Sequence, residues 1–292
     1  LPVGTFVIAI YGLEANGVRG TCSITTREST ISQACMAFTS KMDIQNEFLY
    51  SWYKKHGNII GIKYAQGTKQ QNLSYDIIER FNISYPCMEE QKKLIRFISL
   101  IDQRIATQNK IIEDLKKLKS AIIEIEYSPK DSYHSHIGGA IVQISKRNKD
   151  NHLCNVLSVS NRQGFIKQSE QFEDRNVASD DTSNYKIVEK NDFAYNPARI
   201  NVGSIARLTK FETGIVSPMY ICFRTKDCLL PEYLELFFES RNFFYHIQKR
   251  LEGSVRLCLS YEELCNIPIV IPSIEKQKQV DLHLSKLAQK ID

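Results

Sequence analysis

Gly67 to Lys92, GTKQQNLSYDIIERFNISYPCMEEQK, and Gly253 to Lys278, GSVRLCLSYEELCNIPIVIPSIEKQK, align without a gap at a constant offset of 186. Nine positions are identical: Gly67/Gly253, Leu73/Leu259, Ser74/Ser260, Tyr75/Tyr261, Ile83/Ile269, Pro86/Pro272, Glu89/Glu275, Gln91/Gln277 and Lys92/Lys278. Upstream the match continues at an offset of 185, with Ser32 over Ser217, Phe38 over Phe223 and Glu47-Phe48-Leu49 over Glu232-Tyr233-Leu234. One inserted residue reconciles the two registers. A period this long is that of a domain and not of a solenoid. Both copies read in one order: β-rich segment, short helix (Asn46 to Lys55; Pro231 to Phe244), glycine-bearing loop, Leu-Ser-Tyr turn, strand ending in proline, and a further helix.

The helix after the first copy runs from Met88 to Tyr127 with no Gly or Pro inside it, well beyond the usual three turns. A helix of that length needs a partner along it. Alternating spacings of four and three select Leu94, Ile98, Ile101, Ile105, Gln108, Ile112, Leu115, Lys119 and Ile122, seven of them apolar, which is a coiled-coil seam. Ile111, Leu118 and Ile125 widen it. The second copy begins the same seam in the same phase with Val280, Leu284, Leu287 and Ile291. A two-fold relation between the copies would set the two helices antiparallel. The alternative is two unrelated amphipathic helices, each packed on its own domain. Gln108 and Lys119 would fix register at some cost in stability.

The expected fold class is therefore α+β: two similar β-rich domains, the first partial, joined by long helices that form an antiparallel coiled-coil stalk. The boundaries read as a partial domain over 1–87, the central helix over 88–127, a linker over 128–135, a second domain over 136–272, and the start of a C-terminal helix over 273–292. Strand signals in the second domain fall at Val156 to Val159, Lys186 to Val188, Asp192 to Tyr195 and Ile215 to Arg224. The first copy lacks a counterpart of the first third to half of that unit. Residue 1 is Leu, and the chain opens into the strand-like run Thr5 to Ile10, so the natural chain is expected to extend upstream.

At 292 residues, 42% hydrophobic and 24% charged, the chain is long and apolar enough for two folded domains. A net charge of +5 permits a nucleic-acid partner without requiring one. Lys146, Arg147 and Lys149 form one basic cluster, and Lys249, Arg250 and Arg256 another; each taken alone reads first as solvated surface. The eight cysteines include no Cys-x-x-Cys pair and no histidine at zinc-ligand spacing, which argues against a disulfide or metal framework. Several lie in apolar runs, as reduced cysteines do in a cytoplasmic protein. His134 and His136 have no third ligand near them in sequence. No apolar run approaches the ~20 residues of a membrane span, and the start has no signal-peptide pattern.

Three further segments carry a resemblance: LSVSNRQGF at 157–165, DFAYNPARINVGSI at 192–205 and VSPMY at 216–220. With both Leu-Ser-Tyr turns and the Glu- and Gln-bearing helices after them, the chain resembles the specificity subunits of type I restriction-modification systems. The resemblance spans the whole chain. It implies a non-catalytic subunit with two target recognition domains, each reading one half of a split sequence in double-stranded DNA, separated by paired helices that act as a ruler. It also implies modification (methyltransferase) subunits docked on those helices, a restriction subunit joining them, and no cofactor held by this chain. S-adenosylmethionine, Mg²⁺ and ATP would sit in the partners. The sequence departs from the family pattern at both ends, since its first recognition domain starts partway through and its last helix is short.

Reading base edges needs fixed donor and acceptor patterns, Arg or Lys for guanine and Asn or Gln for adenine. In the first domain Lys69, Gln70, Gln71 and Asn72 follow Gly67; in the second, Arg256 follows Gly253 in the matching loop. Asn161, Arg162, Tyr195, Asn196, Arg199 and Asn201 form the richest polar set, to which Arg147, Lys149 and Arg250 add charge. Asn196 and Asn201 also suit turns with no ligand. Asn196-Pro197-Ala198-Arg199 departs from the Asn-Pro-Pro-aromatic motif of amino-methyltransferases at two positions, and no glycine-rich cofactor loop, P-loop or nucleophile elbow is present. The competing reading is a coiled-coil adaptor that touches no nucleic acid. It explains the stalk but not why two similar domains carry different Arg-, Asn- and Gln-bearing loops.

Overall fold

The computed structural model describes residues 1–13, 19–40, 43–67, 71–128, 135–171, 181–252 and 257–291. These form two compact units, 1–110 and 111–292. The boundary between them falls inside one helix.

In the first unit β1 (Phe6–Ala9), β2 (Cys22–Ile24) and β3 (Cys35–Phe38) make an antiparallel sheet in the order β2-β1-β3. Helix α1 (Asn46–Tyr64) covers it, followed by α2 (Tyr75–Ile78) and α3 (Met88–Glu126). Phe6, Ile8, Leu13, Tyr53, Ile60 and Leu73 form the core. Helix α1 runs nine residues past the expected end at Lys55, through two glycines. They serve close packing: a Cβ on Gly57 would lie 2.8 Å from the Cα of Gly20, and one on Gly61 3.1 Å from the Arg19 side chain.

The second unit contains β4 (Ser135–His136), α4 (Ile137–Ala140), β5 (Ile141–Ile144), β6 (Val156–Ser160), β7 (Gly164–Lys167), α5 (Gln168–Gln171), β8 (Lys186–Glu189) and β9 (Phe193–Tyr195). A 3-10 turn at Ile200–Val202 leads to β10 (Ile205–Arg207), β11 (Thr213–Val216) and β12 (Ile221–Thr225). Then come α6 (Pro231–Phe238), α7 (Arg241–Arg250), α8 (Tyr261–Cys265), β13 (Pro268–Ile269) and α9 (Ile274–Ile291). Two four-stranded sheets result, β10-β9-β12-β5 and β7-β6-β11-β8. An aromatic core of Phe193, Phe223, Tyr233, Phe237, Phe238 and Phe243 lies between the first sheet and the helices.

The duplication is visible in three dimensions. The strand order β10-β9-β12 repeats β2-β1-β3, with Phe223 opposite Phe193 as Phe38 is opposite Phe6. A two-way backbone bridge joins Gln66 to Asn72 and, 186 residues on, Glu252 to Cys258. The inserted residue falls where a continuous 19-residue α1 becomes an 8-residue α6 and a 10-residue α7. At that break Ser240 caps α7, its hydroxyl accepting from Phe243 N at 3.2 Å. Strand β5 and the second sheet have no counterpart among the described residues of the first unit.

Several expected spans differ from the structure. The run Ile215 to Arg224 is two strands, β11 and β12, because Ser217 to Tyr220, with Pro218, turn the chain from one sheet to the other. The strand expected before Pro86 does not form, and its counterpart before Pro272 is only the two-residue β13. Ser135 and His136, at the end of the expected linker, pair with β13 as β4; the linker's 129–134, with His134, lie outside the described residues.

The end of α3 is held tightly in the second unit. Ile122, Ile123 and Tyr127 share one apolar cluster with Val280, Leu284 and Leu287 of α9. Lys276 of α9 pairs with Glu126 at 3.7 Å, joining the end of one helix to the start of the other. The buried Tyr127 hydroxyl donates to Tyr233 O at 2.6 Å, and Asn242 Nδ2 donates to Tyr127 O at 2.9 Å. Tyr127→Phe removes the donor from a buried carbonyl and should cost about 1–3 kcal/mol. Urea unfolding followed by far-UV circular dichroism measures this as a lower midpoint at unchanged slope.

Candidate nucleic-acid interface

The polar segments of the second unit stand on strands that the core fixes. β6 and β7 are joined by Asn161, Arg162 and Gln163, and Gly164 closes the turn at φ +67°. Beside this tip runs the turn from Asn196 to Ser204, which ends on Gly203 at φ +87°. A Cβ on Gly203 would lie 3.8 Å from that of Asn161, so the two turns touch. Ser204 Oγ donates to Val159 O at 3.2 Å and locks them together. The structure thus sets the turn that carries Arg199 and Asn201 beside the turn that carries Asn161 and Arg162. Arg162 and Arg199 are exposed, and neither makes a side-chain hydrogen bond or ion pair among the described residues.

A cleft of about 480 Å³ opens beside the tip, lined by Asn161, Arg162, Gly203, Arg207, Glu235 and Phe244 among others. Arg207 is committed there, paired with Glu232 and, at 2.9 Å, with Glu235. Burial pushes the Glu235 carboxyl above its usual range, against the pull of Arg207. Lys210, which sequence reasoning missed, donates from Nζ to Gln163 O at 3.1 Å and so joins the tip. No motif marks it; only the fold brings the β10–β11 loop to the β6–β7 turn.

Two of the expected contacts are corrected. Tyr195 is fully buried in β9, a strand covered on both faces, and its hydroxyl donates to Leu259 O at 3.2 Å. Burial holds its phenol far above the ordinary range. Asn196 is 7% exposed, and its Oδ1 accepts from Ala198 N at 3.1 Å, so it builds the turn instead of facing outward. Just before β9, buried Asp192 receives Arg224 Nε at 2.9 Å and Glu189 N at 2.7 Å. Burial raises its carboxyl's pKa, and Arg224 opposes the rise.

The remaining candidates lie elsewhere. Arg147 and Lys149 are exposed in the loop after β5, where Arg147 donates to Asn184 Oδ1 at 3.0 Å. Arg250 is occupied at the end of α7 by Glu263 at 3.6 Å, by Asn266 O and by the His246 ring. In the first unit Gln71 accepts from Arg19 Nη2 at 3.0 Å and Asn72 from Gly12 N at 3.3 Å, so both brace their loop. Lys69, Gln70 and Arg256 lie outside the described residues. Of the helix-pairing set, Val280 and Leu284 are buried and Ile112, Leu115, Leu287 and Ile291 half-buried. Leu94, Ile98, Ile101 and Ile105 are 38–53% exposed. The described residues include no group of three His, Cys, Asp or Glu able to hold a metal ion.

The second unit thus repeats the sheet-and-helix arrangement of the first, each copy leads into a long helix, and the second carries an exposed basic turn. Residues 2–117 match the family described as the type I restriction modification DNA specificity domain. Across its whole length the fold is similar to three solved structures. The HsdS subunit from Thermoanaerobacter tengcongensis has 13% identity and a TM-score of 0.52, with 100% of this chain and 74% of that one covered. The type I restriction-modification S subunit from M. genitalium has 15% identity and a TM-score of 0.59, with 100% and 78% covered. A structure describing complex assembly and conformational transition of the type I R-M system has 13% identity and a TM-score of 0.56, with 100% and 75% covered.

Removing an exposed arginine from the tip should separate contact from folding. Arg162→Ala and Arg199→Ala should change stability by no more than ~0.5 kcal/mol. Tyr195→Ala, which empties a buried aromatic site, should cost about 3–5 kcal/mol. Thermal melts of the three variants beside DNA-binding isotherms test this: the arginine variants should lose binding at wild-type melting temperature.

Proposed function

We propose that this chain is the non-catalytic DNA sequence-recognition subunit of a type I restriction-modification complex, reading a bipartite target and docking modification subunits on its helices. The observation that carries this is the specificity-domain match over residues 2–117 together with a whole-chain fold like that of the S subunits. The exposed Asn161, Arg162, Arg199 and Lys210, with half-buried Asn201, supply the chemistry: arginine and lysine for phosphates and guanine, asparagine for adenine.

The exposed apolar positions Leu94, Ile98, Ile101 and Ile105 along α3 are the docking face for partner protein, since a stripe of that kind on a water-soluble helix needs cover. A restriction subunit completes the nuclease. S-adenosylmethionine, Mg²⁺ and ATP belong to those partners, and this chain binds none of them. Among the described residues no helix is long and apolar enough to cross a membrane. The cytoplasm, where the host DNA is, is the proposed site of action.

Methylation sequencing of the host with and without the gene is the direct test. A split methylated motif that vanishes on deletion is expected, and an unchanged methylome sinks the reading. In vitro, binding of the chain with its modification subunit to target duplex should fall steeply with salt. Arg162→Ala should lower the slope of log K against log salt by about 1 if Arg162 meets a phosphate, or relax one base position if it meets a guanine.

A further inference from the structure

Gln91 and Gln277 make the same three hydrogen bonds to equivalent partners. Gln91 Nε2 donates to Asp43 O at 2.7 Å and Pro86 O at 2.9 Å, and its Oε1 accepts from Gln45 N at 3.0 Å. Gln277 Nε2 donates to Cys228 O at 3.0 Å and Pro272 O at 2.9 Å, and its Oε1 accepts from Leu230 N at 2.8 Å. Gln45 and Leu230 are the N-caps of α1 and α6. One amide therefore ties three segments at a point: the domain's own helix, the chain ahead of the long helix, and the first turns of that long helix. Both side chains are fully buried.

In the first unit no fully buried apolar residue of α3 stands beside it among the described residues. Among the described residues of that unit, Gln91 is the only buried position of α3, and everything from Leu100 to Lys110 is exposed. A hydrophobic side chain of the same volume would fill the site without preferring a direction. Three hydrogen bonds to three separate backbone groups fix an angle, because each weakens steeply when misaligned.

We infer that Gln91 and Gln277 are positioning residues, which set the direction in which α3 and α9 leave their domains and thereby the spacer length tolerated between the two DNA half-sites. The second clause rests on the function proposed above. The first does not.

The test uses the full chain, alone and with its modification subunit. Fluorophores placed through unnatural amino acids at Glu28 and Arg104, both exposed in the first unit, report the angle of α3. Gln91→Leu is expected to broaden the distance distribution between them. It should also lower the ratio of methylation at the natural spacing to methylation one base pair longer or shorter by about tenfold. Equal loss of activity at every spacing, with a wild-type distance distribution, overturns the proposal and leaves Gln91 a merely structural residue. Gln91→Glu, which keeps the acceptor to Gln45 N and the shape of the side chain, serves where Gln91→Leu does not fold. If the wild-type chain with its modification subunit gives no methylation of any split target, the DNA reading fails. The distance distribution then still decides the joint, a broadened one supporting it and an unchanged one overturning it.

Discussion

A buried amide at the root of a helix has to satisfy both its donors and its acceptor, and in this protein that requirement shapes both units. Leaving one such group unpaired costs about 1–3 kcal/mol, while a satisfied bond returns about 1 kcal/mol net. The asymmetry matters more than the gain. The backbone groups of Asp43, Gln45 and Pro86, and of Cys228, Leu230 and Pro272, are held where the glutamine needs them. That holds the N-terminus of the domain helix against the start of the long helix whatever the surrounding side chains are. The identity of Gln91 and Gln277 across the duplication thus has a physical reason.

The second unit adds apolar support that the first does not share. Val280 and Leu284 bury on the side of α9 that meets Ile123 and Tyr127, and Tyr233, Phe237 and Phe243 close the cluster. Tilted and edge-on contacts between these rings, such as Tyr127 with Tyr233 at 4.9 Å and Phe237 with Phe243 at 5.5 Å, add specific geometry to the area buried. Exposed loops mounted on such a core can change residue by residue with little penalty. Exposed arginines at the tip contribute little to stability, while Tyr195 and Asn196, next to them in sequence, belong to the scaffold.

That contrast marks the limit of what the sequence made legible. The duplication, the long helix and the family were readable because each rests on spacing: an offset, a period, an ordered set of motifs. The boundaries of α1 were not: the expected helix ended at Lys55, and only the approach of Gly20 and Arg19 shows what Gly57 and Gly61 are for. Tyr195 read as a contact because its neighbours are polar. β9 is buried on both faces, Ala194 in one apolar cluster and Phe193 and Tyr195 in the other, and the partner of the Tyr195 hydroxyl, Leu259 O, lies 64 residues away. Lys210 was missed for the same reason in reverse, its place at the tip being set by a loop that carries no motif.

The exposed residues of α3 complete the argument from pattern to physics. In the first unit Leu94, Phe97, Ile98, Leu100, Ile101 and Ile105 are 38–62% exposed, which is more than a coiled-coil seam alone would leave open. Phe97 and Leu100 fall outside the four-and-three spacing, so the apolar face is wider than one helix needs to pair with another. A helix with so little of its own length buried has low intrinsic stability in water unless neighbouring turns or partners cover it. The proposed docking of modification subunits supplies that cover. The buried glutamine then takes a second meaning: it presents the helix at a defined angle before the partner arrives, so less ordering remains for binding to impose.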